Sequence, residues 1–278
     1  MKETTMKPIL SLLLAAIPFF AQAAPSADEA AIRTLIAKHY KRPFAAEQCQ
    51  LTTPPKGSSW ASHNIAYYMK PTASHAVTRN GKTTRYALYT GFAYDIQEKS
   101  RNDGHAASGL AELFILEKTG STWTIKWHGK DEVGAWGQAP DKKEWRFVQM
   151  GQQNWGYTAE TGYTAQGETT TGQFYLFSDN RNHIRSSYIP TGRENSGYYG
   201  DCKDFQGEEK RNCENNLAAL NAKLTFNRNI TSPYDIWAIE AKLSGKEGKK
   251  RYKNQPYSIP YNGKTYAVPK NYPLYIAP

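Results

Sequence analysis

The sequence predicts a mainly β fold: an antiparallel β-sandwich or half-barrel with one N-terminal helix and one short helix near 206–221. Three observations carry that prediction. From Ser62 onward apolar residues recur at every second position, in about ten short runs rich in aromatic and β-branched side chains. Gly, Pro, Asn and Asp bound those runs, and no helical stretches alternate with them as a parallel sheet would require. Finally, 13% of the 278 residues are aromatic (19 Tyr, 10 Phe, 7 Trp), enough large rings to fill a core and to exclude wholesale disorder.

The chain opens with Lys2 and Lys7, an apolar run PILSLLLAAIPFF, and then Ala21-Gln22-Ala23. A basic start, a short apolar core and an A-x-A ending form the pattern of a secretory signal peptide, with cleavage expected after Ala23. Residues 9–20 show no polar face, so an ordinary buried amphipathic helix does not account for them. The run is too short for a permanent span, which needs about 20 apolar residues, and Pro18 would disturb its end. The expected organisation is a signal peptide over 1–23 and a single β-rich mature domain over 24–278. The mature protein would be periplasmic or secreted, with no transmembrane segment after cleavage. No charged or Pro-rich linker divides it.

Within the mature chain, DEAAIRTLIAKHY (28–40) places Ala31, Leu35, Ile36, His39 and Tyr40 on one side at helical spacing. Asp28 and Glu29 stand where a helix start favours negative charge, and Pro43 closes the helix. The strands then read HNIAYYMK, RYALYTGFAYDIQ, LAELFILEK, TWTIKWH, WRFVQM, QFYLFSD, HIRSSYIP, AKLTFN, YDIWAIEAKL and TYAVP. Turns are legible at Thr119-Gly120, Asp179-Asn180 and Asn262-Gly263. The last pair accepts the positive φ of a two-residue type I′ hairpin. The second helix, 206–221, would bury Leu217 and Leu220. GKEGKKRYK (245–253) is expected as the solvated end of a hairpin.

Cys202 and Cys213 bracket a polar segment that has no hydrophobic reason to hold a shape. In an oxidising compartment they are expected to pair, stabilising the fold by about 3 kcal/mol on the chain-entropy model. Their spacing is not that of a zinc site and encloses no His, while Lys203 and Lys210 interrupt the nearby acids where a calcium loop would continue them. Cys49 is then the odd thiol, expected to be buried.

Catalytic signatures are missing. Ser108 in GHAASGL lacks the Gly two residues upstream that a nucleophile elbow needs, so His105 and its small neighbours mark a tight strand entry. No HExxH, P-loop or dinucleotide fingerprint occurs. His39, His63, His75, His105, His128 and His183 include no pair at a ligand spacing on one predictable element. No metal, no other cofactor and no catalytic residue is therefore assigned. Carboxylates offer the enzymatic alternative. Asp131 and Glu132 beside Trp136, with Glu160 and Glu168 downstream, suit a glycan or cell-wall hydrolase, which needs two carboxylates several ångströms apart. Adjacent strand residues point to opposite faces, which counts against the first pair.

Lys+Arg number 35 against 25 Asp+Glu, a net +10; residues 1–23 carry Lys2, Lys7 and Glu3, so the mature chain keeps +9. These cations are spread along the chain, and export removes the usual nucleic-acid partner, so no nucleic acid is expected. A sharper signal lies in segment 129–172, where Trp136, Trp145, Trp155, Tyr157 and Tyr163 stand among Gly, Gln, Asn and Thr. Flat rings beside amides and hydroxyls suit stacking on sugars or a protein interface. The competing expectation is that rings at alternating strand positions are core. Together these features predict an exported protein of a bacterial envelope that binds a glycan, a cell-wall polymer or a protein partner without catalysis. The alternatives are the hydrolase above and a protein that inhibits or scaffolds a partner.

Overall fold

The computed structural model describes residues 26–40, 43–44, 49–58, 64–181 and 183–275; the expected signal peptide, His63 and the Cys49 side chain lie outside them. Ser26 opens α1 (Ala27–Tyr40), its Oγ accepting from the Glu29 N–H at 3.3 Å as a helix cap does. The buried stripe of α1 is Ile32, Ile36 and Tyr40, with Leu35 packed in part and Ala31 exposed. The stripe differs from the expected one because Ile32 has more apolar surface to remove from water than Ala31.

The first sheet contains β1 (Pro43–Phe44), β2 (Cys49–Thr52), β3 (Ile65–Arg79), β4 (Lys82–Asp95), β5 (Ser100–Arg101), β6 (Gly109–Thr119) and β7 (Thr122–Val133), in the order β1-β2-β3-β4-β6-β7 with β5 against β4. The second contains β8 (Arg146–Gln149), β9 (Trp155–Ala165), β10 (Glu168–Ser178), β11 (Ile184–Glu194), β12 (Ala218–Thr231), β13 (Trp237–Glu247) and β14 (Lys250–Ile259), neighbours in space as in sequence. Both are antiparallel and curl into half-barrels, as expected. Two-residue turns at Asn80-Gly81 and Gln166-Gly167, all at positive φ, close the β3–β4 and β9–β10 hairpins. GKEGKKRYK does end a hairpin, with Glu247 paired to Lys250.

The layers follow from β6. Leu110, Phe114 and Leu116 face α1, sharing a cluster with Ile32, Ile36, Tyr67 and Met69. Ala111, Leu113 and Ile115 face the second sheet, packing with Tyr157, Phe174 and Leu176. A strand covered on both faces is apolar without alternation, which is why LAELFIL, apart from Glu112, shows no polar face. The far side of the second sheet (Tyr175, Phe177, Ile239, Ala241) is closed by Tyr261, Tyr266, Tyr272 and Leu274 of the C-terminal segment. In that segment TYAVP is not a strand. It makes only an isolated bridge, Tyr261 with Tyr266, and serves as a lid of rings.

After β11 the chain makes a short turn of helix, α2 (Ser196–Tyr199), and then α3 (Gly207–Asn216). α3 stops short of the expected 221. Ala218 and Leu220 are buried and alternate with exposed Ala219 and Asn221, so that stretch already follows the strand period of β12. The sulfurs of Cys202 and Cys213 are 1.99 Å apart, at bonding distance. Among the described residues no helix is long and apolar enough to cross a membrane.

Candidate functional site

The second sheet is incompletely paired at two places. β8 meets β9 only from Trp155 to Thr158, so the outer edge of β9 from Ala159 to Ala165 has no strand partner among the described residues. β11 meets β12 only over Gly192–Glu194. An open cleft of about 1200 Å³ is lined there by residues of the Gly134–Glu144 loop, of β8 to β11 and of β12.

The five rings singled out in the sequence divide at this cleft. Trp136 and Tyr163 line it and are 46% and 52% exposed. Trp145 and Tyr157 are buried between the sheets, and Trp155 packs against the same cluster. Tyr157 Oη donates to Tyr86 O at 2.9 Å, and Trp145 Nε1 donates to Pro140 O at 3.1 Å. Trp155 stacks on Phe147 with centroids 5.2 Å apart. These three pack inside the fold and do not line the cleft.

Trp136 owes its position to the GAWG phrase. Its φ is +57°, a conformation rare for a bulky residue and costly by about 1–3 kcal/mol. Gly134 and Gly137 flank it at φ 81° and 68°. A Cβ on Gly137 would lie 1.8 Å from Asn102 O, so the loop passes the 102–109 segment backbone to backbone. Gly137 N–H donates to Ala107 O at 2.8 Å, and Gly137 O accepts from Ala93 N–H at 2.7 Å. These bonds to β4 and to the loop before β6 hold the strained residue, and His105 lies against the indole with ring centroids 3.5 Å apart. The ring is thus presented to solvent by a fixed loop.

Around the rings the lining is hydroxyl, amide and charge. Gln173 Nε2 donates to Thr158 Oγ1 at 2.6 Å, and Thr158 Oγ1 donates to Phe174 O at 2.7 Å. The hydroxyls of Thr164 and Thr169 pair at 2.8 Å, and those of Thr171 and Thr191 at 3.3 Å. A hydroxyl donates once and accepts twice, so each pair is ordered yet keeps capacity for a ligand. Burial pushes the Tyr175 phenol up against the opposing Thr158 hydroxyl, which keeps it a neutral donor. Arg146 and Lys223 add positive charge, and Asp141, Glu144 and Glu160 add negative charge. No histidine or cysteine lines the cleft among the described residues.

Of the carboxylates considered for hydrolysis, only Glu160 lines this cleft. Asp131 and Glu132 do point apart: Asp131 accepts from Ser186 of β11, whereas Glu132 accepts from Ser58 and, at 3.0 Å, from Tyr67 Oη. Glu168 is clasped by Arg193, with Nε to Oε1 at 2.9 Å and Nη2 to Oε2 at 3.3 Å. The structure does not bring the four together. Arg146, Gln173 and Lys223 had no local signature, because only the curl of the sheet assembles them; the Thr169–Thr171 run was the one visible hint. No protein-family model, no curated protein and no solved structure matches the chain.

Proposed function

We propose that this is an exported protein of a bacterial envelope that binds a carbohydrate chain in the cleft without cleaving it. One observation supports this most: the two exposed rings of segment 129–172, Trp136 and Tyr163, line the same cleft among threonine hydroxyls and Gln173. A sugar offers an apolar C–H face for stacking on such rings and hydroxyls for the polar lining. The fixed Trp136 loop lowers the ordering cost of binding. The net +9 left after residues 1–23 favours encounter with anionic polymers.

The test is co-sedimentation with insoluble peptidoglycan and affinity electrophoresis in soluble polysaccharides. Wild type is expected to be retained, and Trp136→Ala or Tyr163→Ala to weaken retention by about tenfold while remaining folded. Equal behaviour of all three proteins, or no retention at all, rejects the proposal. Shortening of the glycan that stops in Glu160→Gln would favour the hydrolase instead. The bare edge of β9 supports a protein partner by strand addition. That alternative predicts capture of an envelope protein that persists in Trp136→Ala.

A further inference from the structure

Three ligand-type side chains meet away from the cleft, on the α1 side of the first sheet. His39 comes from the last turn of α1, Glu112 from β6 and His128 from β7, and one donor atom of each lies within 4.8 Å of the other two. His128 Nδ1 is 3.1 Å from Glu112 Oε1, and the His39 and His128 rings are 4.2 Å apart between centroids. Phe114 braces both imidazoles, edge-on to His39 at 5.3 Å and stacked with His128 at 5.6 Å.

The carboxylate is the group that calls for an ion. The Glu112 side chain is 2% exposed, and its Oε2 has no hydrogen-bond partner among the described residues. A buried carboxylate oxygen that makes no hydrogen bond is costly unless something positive meets it. Lys130, opposite Glu112 in register, is engaged elsewhere: its Nζ donates to Thr52 Oγ1 and Thr53 O, both at 2.8 Å. The Tyr40 hydroxyl is also buried near Glu112, yet neither Tyr40 Oη nor Glu112 Oε2 makes a hydrogen bond of acceptable geometry.

We infer that His39, Glu112 and His128 bind one divalent transition-metal ion of the zinc type. Two imidazole nitrogens and one carboxylate oxygen form a donor set that zinc accepts, whereas calcium and magnesium favour shells of oxygen. Around tetrahedral zinc, with bonds of about 2.0–2.1 Å, donors stand about 3.3 Å apart. The 3.1 Å between His128 and Glu112 is already close to that spacing, and a side-chain rotation of His39 closes the rest. His128 is 43% exposed, so the fourth position opens to water or a ligand. The site ties α1 to β6 and β7, and it is independent of the carbohydrate cleft.

Equilibrium dialysis of the untagged, oxidised protein against zinc, followed by titration with cobalt, tests the site. One zinc per chain is expected, with a melting temperature that rises with free zinc and the intense visible bands of four- or five-coordinate cobalt. His39→Ala, His128→Ala and Glu112→Gln should each weaken binding by roughly tenfold or more, while His183→Ala, outside the cluster, leaves it unchanged. The near-isosteric Glu112→Gln decides the matter if an alanine variant does not fold. Absence of bound zinc in wild type, binding indifferent to these substitutions, or cobalt showing only the weak spectrum of its six-coordinate aquo ion would overturn the inference.

Discussion

Asp235 Oδ2 accepts the Gln153 N–H at 2.8 Å, and the same carboxylate gathers the Gln152 N–H at 3.1 Å and Asn154 Nδ2 at 2.9 Å. Asn154 Nδ2 also donates to Asp235 O at 3.0 Å, and Trp237 N–H donates to Met150 O at 2.8 Å. The β8–β9 and β12–β13 turns are thereby one hydrogen-bonded unit. This accounts for the phrase QMGQQN. Gly151 passes Asp235 so closely that a Cβ would fall 1.6 Å from its carbonyl oxygen, and the next residues supply the donors. Asp235→Asn keeps a residue that tolerates φ +56° but replaces charge-assisted acceptors with a donor facing donors. We expect a loss of about 2 kcal/mol, seen as a lower urea midpoint at unchanged slope. An unshifted midpoint would show that the clamp contributes nothing.

Trp136 and Trp145 stand nine positions apart, yet substitutions should affect them in opposite ways. Trp145→Ala removes a ring that is 7% exposed, packed edge-on to Phe174 and bonded to Pro140 O, and should cost about 3–5 kcal/mol. Trp136→Gly relieves a left-handed tryptophan that is 46% exposed, so stability should hold or rise while carbohydrate retention is lost. Urea midpoints measured beside glycan retention separate the two. Comparable destabilisation by both would place Trp136 in the structural set and remove the stacking platform.

Legibility in the sequence followed the range of the forces involved. Local rules reached far: LAELFILEK marked strand β6, though not that both of its faces are covered, Asp28 and Glu29 marked the start of α1, and Thr119-Gly120 marked a hairpin. The side that each ring faces was not readable. Tyr157 is core and Tyr163 is exposed because one sheet lies on the other at Tyr157 and has moved away by Tyr163. The cleft residues Arg146, Gln173 and Lys223, and the trio His39, Glu112 and His128, come from separate elements. No spacing rule connects them, since only curled sheets and helix docking bring them together.

Cys202 and Cys213 are the only buried residues of the 3₁₀ turn Cys202–Asp204 and of α3, so the excursion between β11 and β12 has almost no core besides its cross-link. Closing so short a loop is worth about 3 kcal/mol. Reduction, or Cys202→Ser with Cys213→Ser, should loosen this excursion ahead of the sheets. Trypsin would then cut after Lys203, Lys210 or Arg211 under conditions where the oxidised protein survives, with the β signal in circular dichroism retained. Equal cleavage rates for oxidised and reduced protein would show that the bond does not order the segment.

Asp179 should set part of the acid sensitivity. Its side chain is fully buried at the end of β10, where Oδ1 accepts the Arg181 N–H at 2.9 Å and the His183 N–H at 3.2 Å. Oδ2 meets Arg185 Nε and Tyr261 Oη, both at 3.4 Å, and Arg181 Nη2 continues to Gly263 O at 2.7 Å, so the carboxylate fastens the turn to the C-terminal lid. Burial alone would raise its pKa. The His183 and Arg181 backbone N–H groups, with the Arg185 guanidinium, hold it below the ordinary 3.8 instead. A pKa lower in the folded than in the unfolded state means that ionised Asp179 contributes its full stability above the unfolded value. That contribution is lost as pH falls through the folded one. Arg181 and Arg185 remain partly exposed, which screens the pairing, so we expect Asp179→Asn to cost about 2 kcal/mol at pH 7. Below the usual carboxylate range the cost should shrink, because wild type loses there what the variant never had. Urea midpoints for both proteins from pH 7 to pH 3 test this: converging curves are expected, and parallel curves would refute the role of the ionised form.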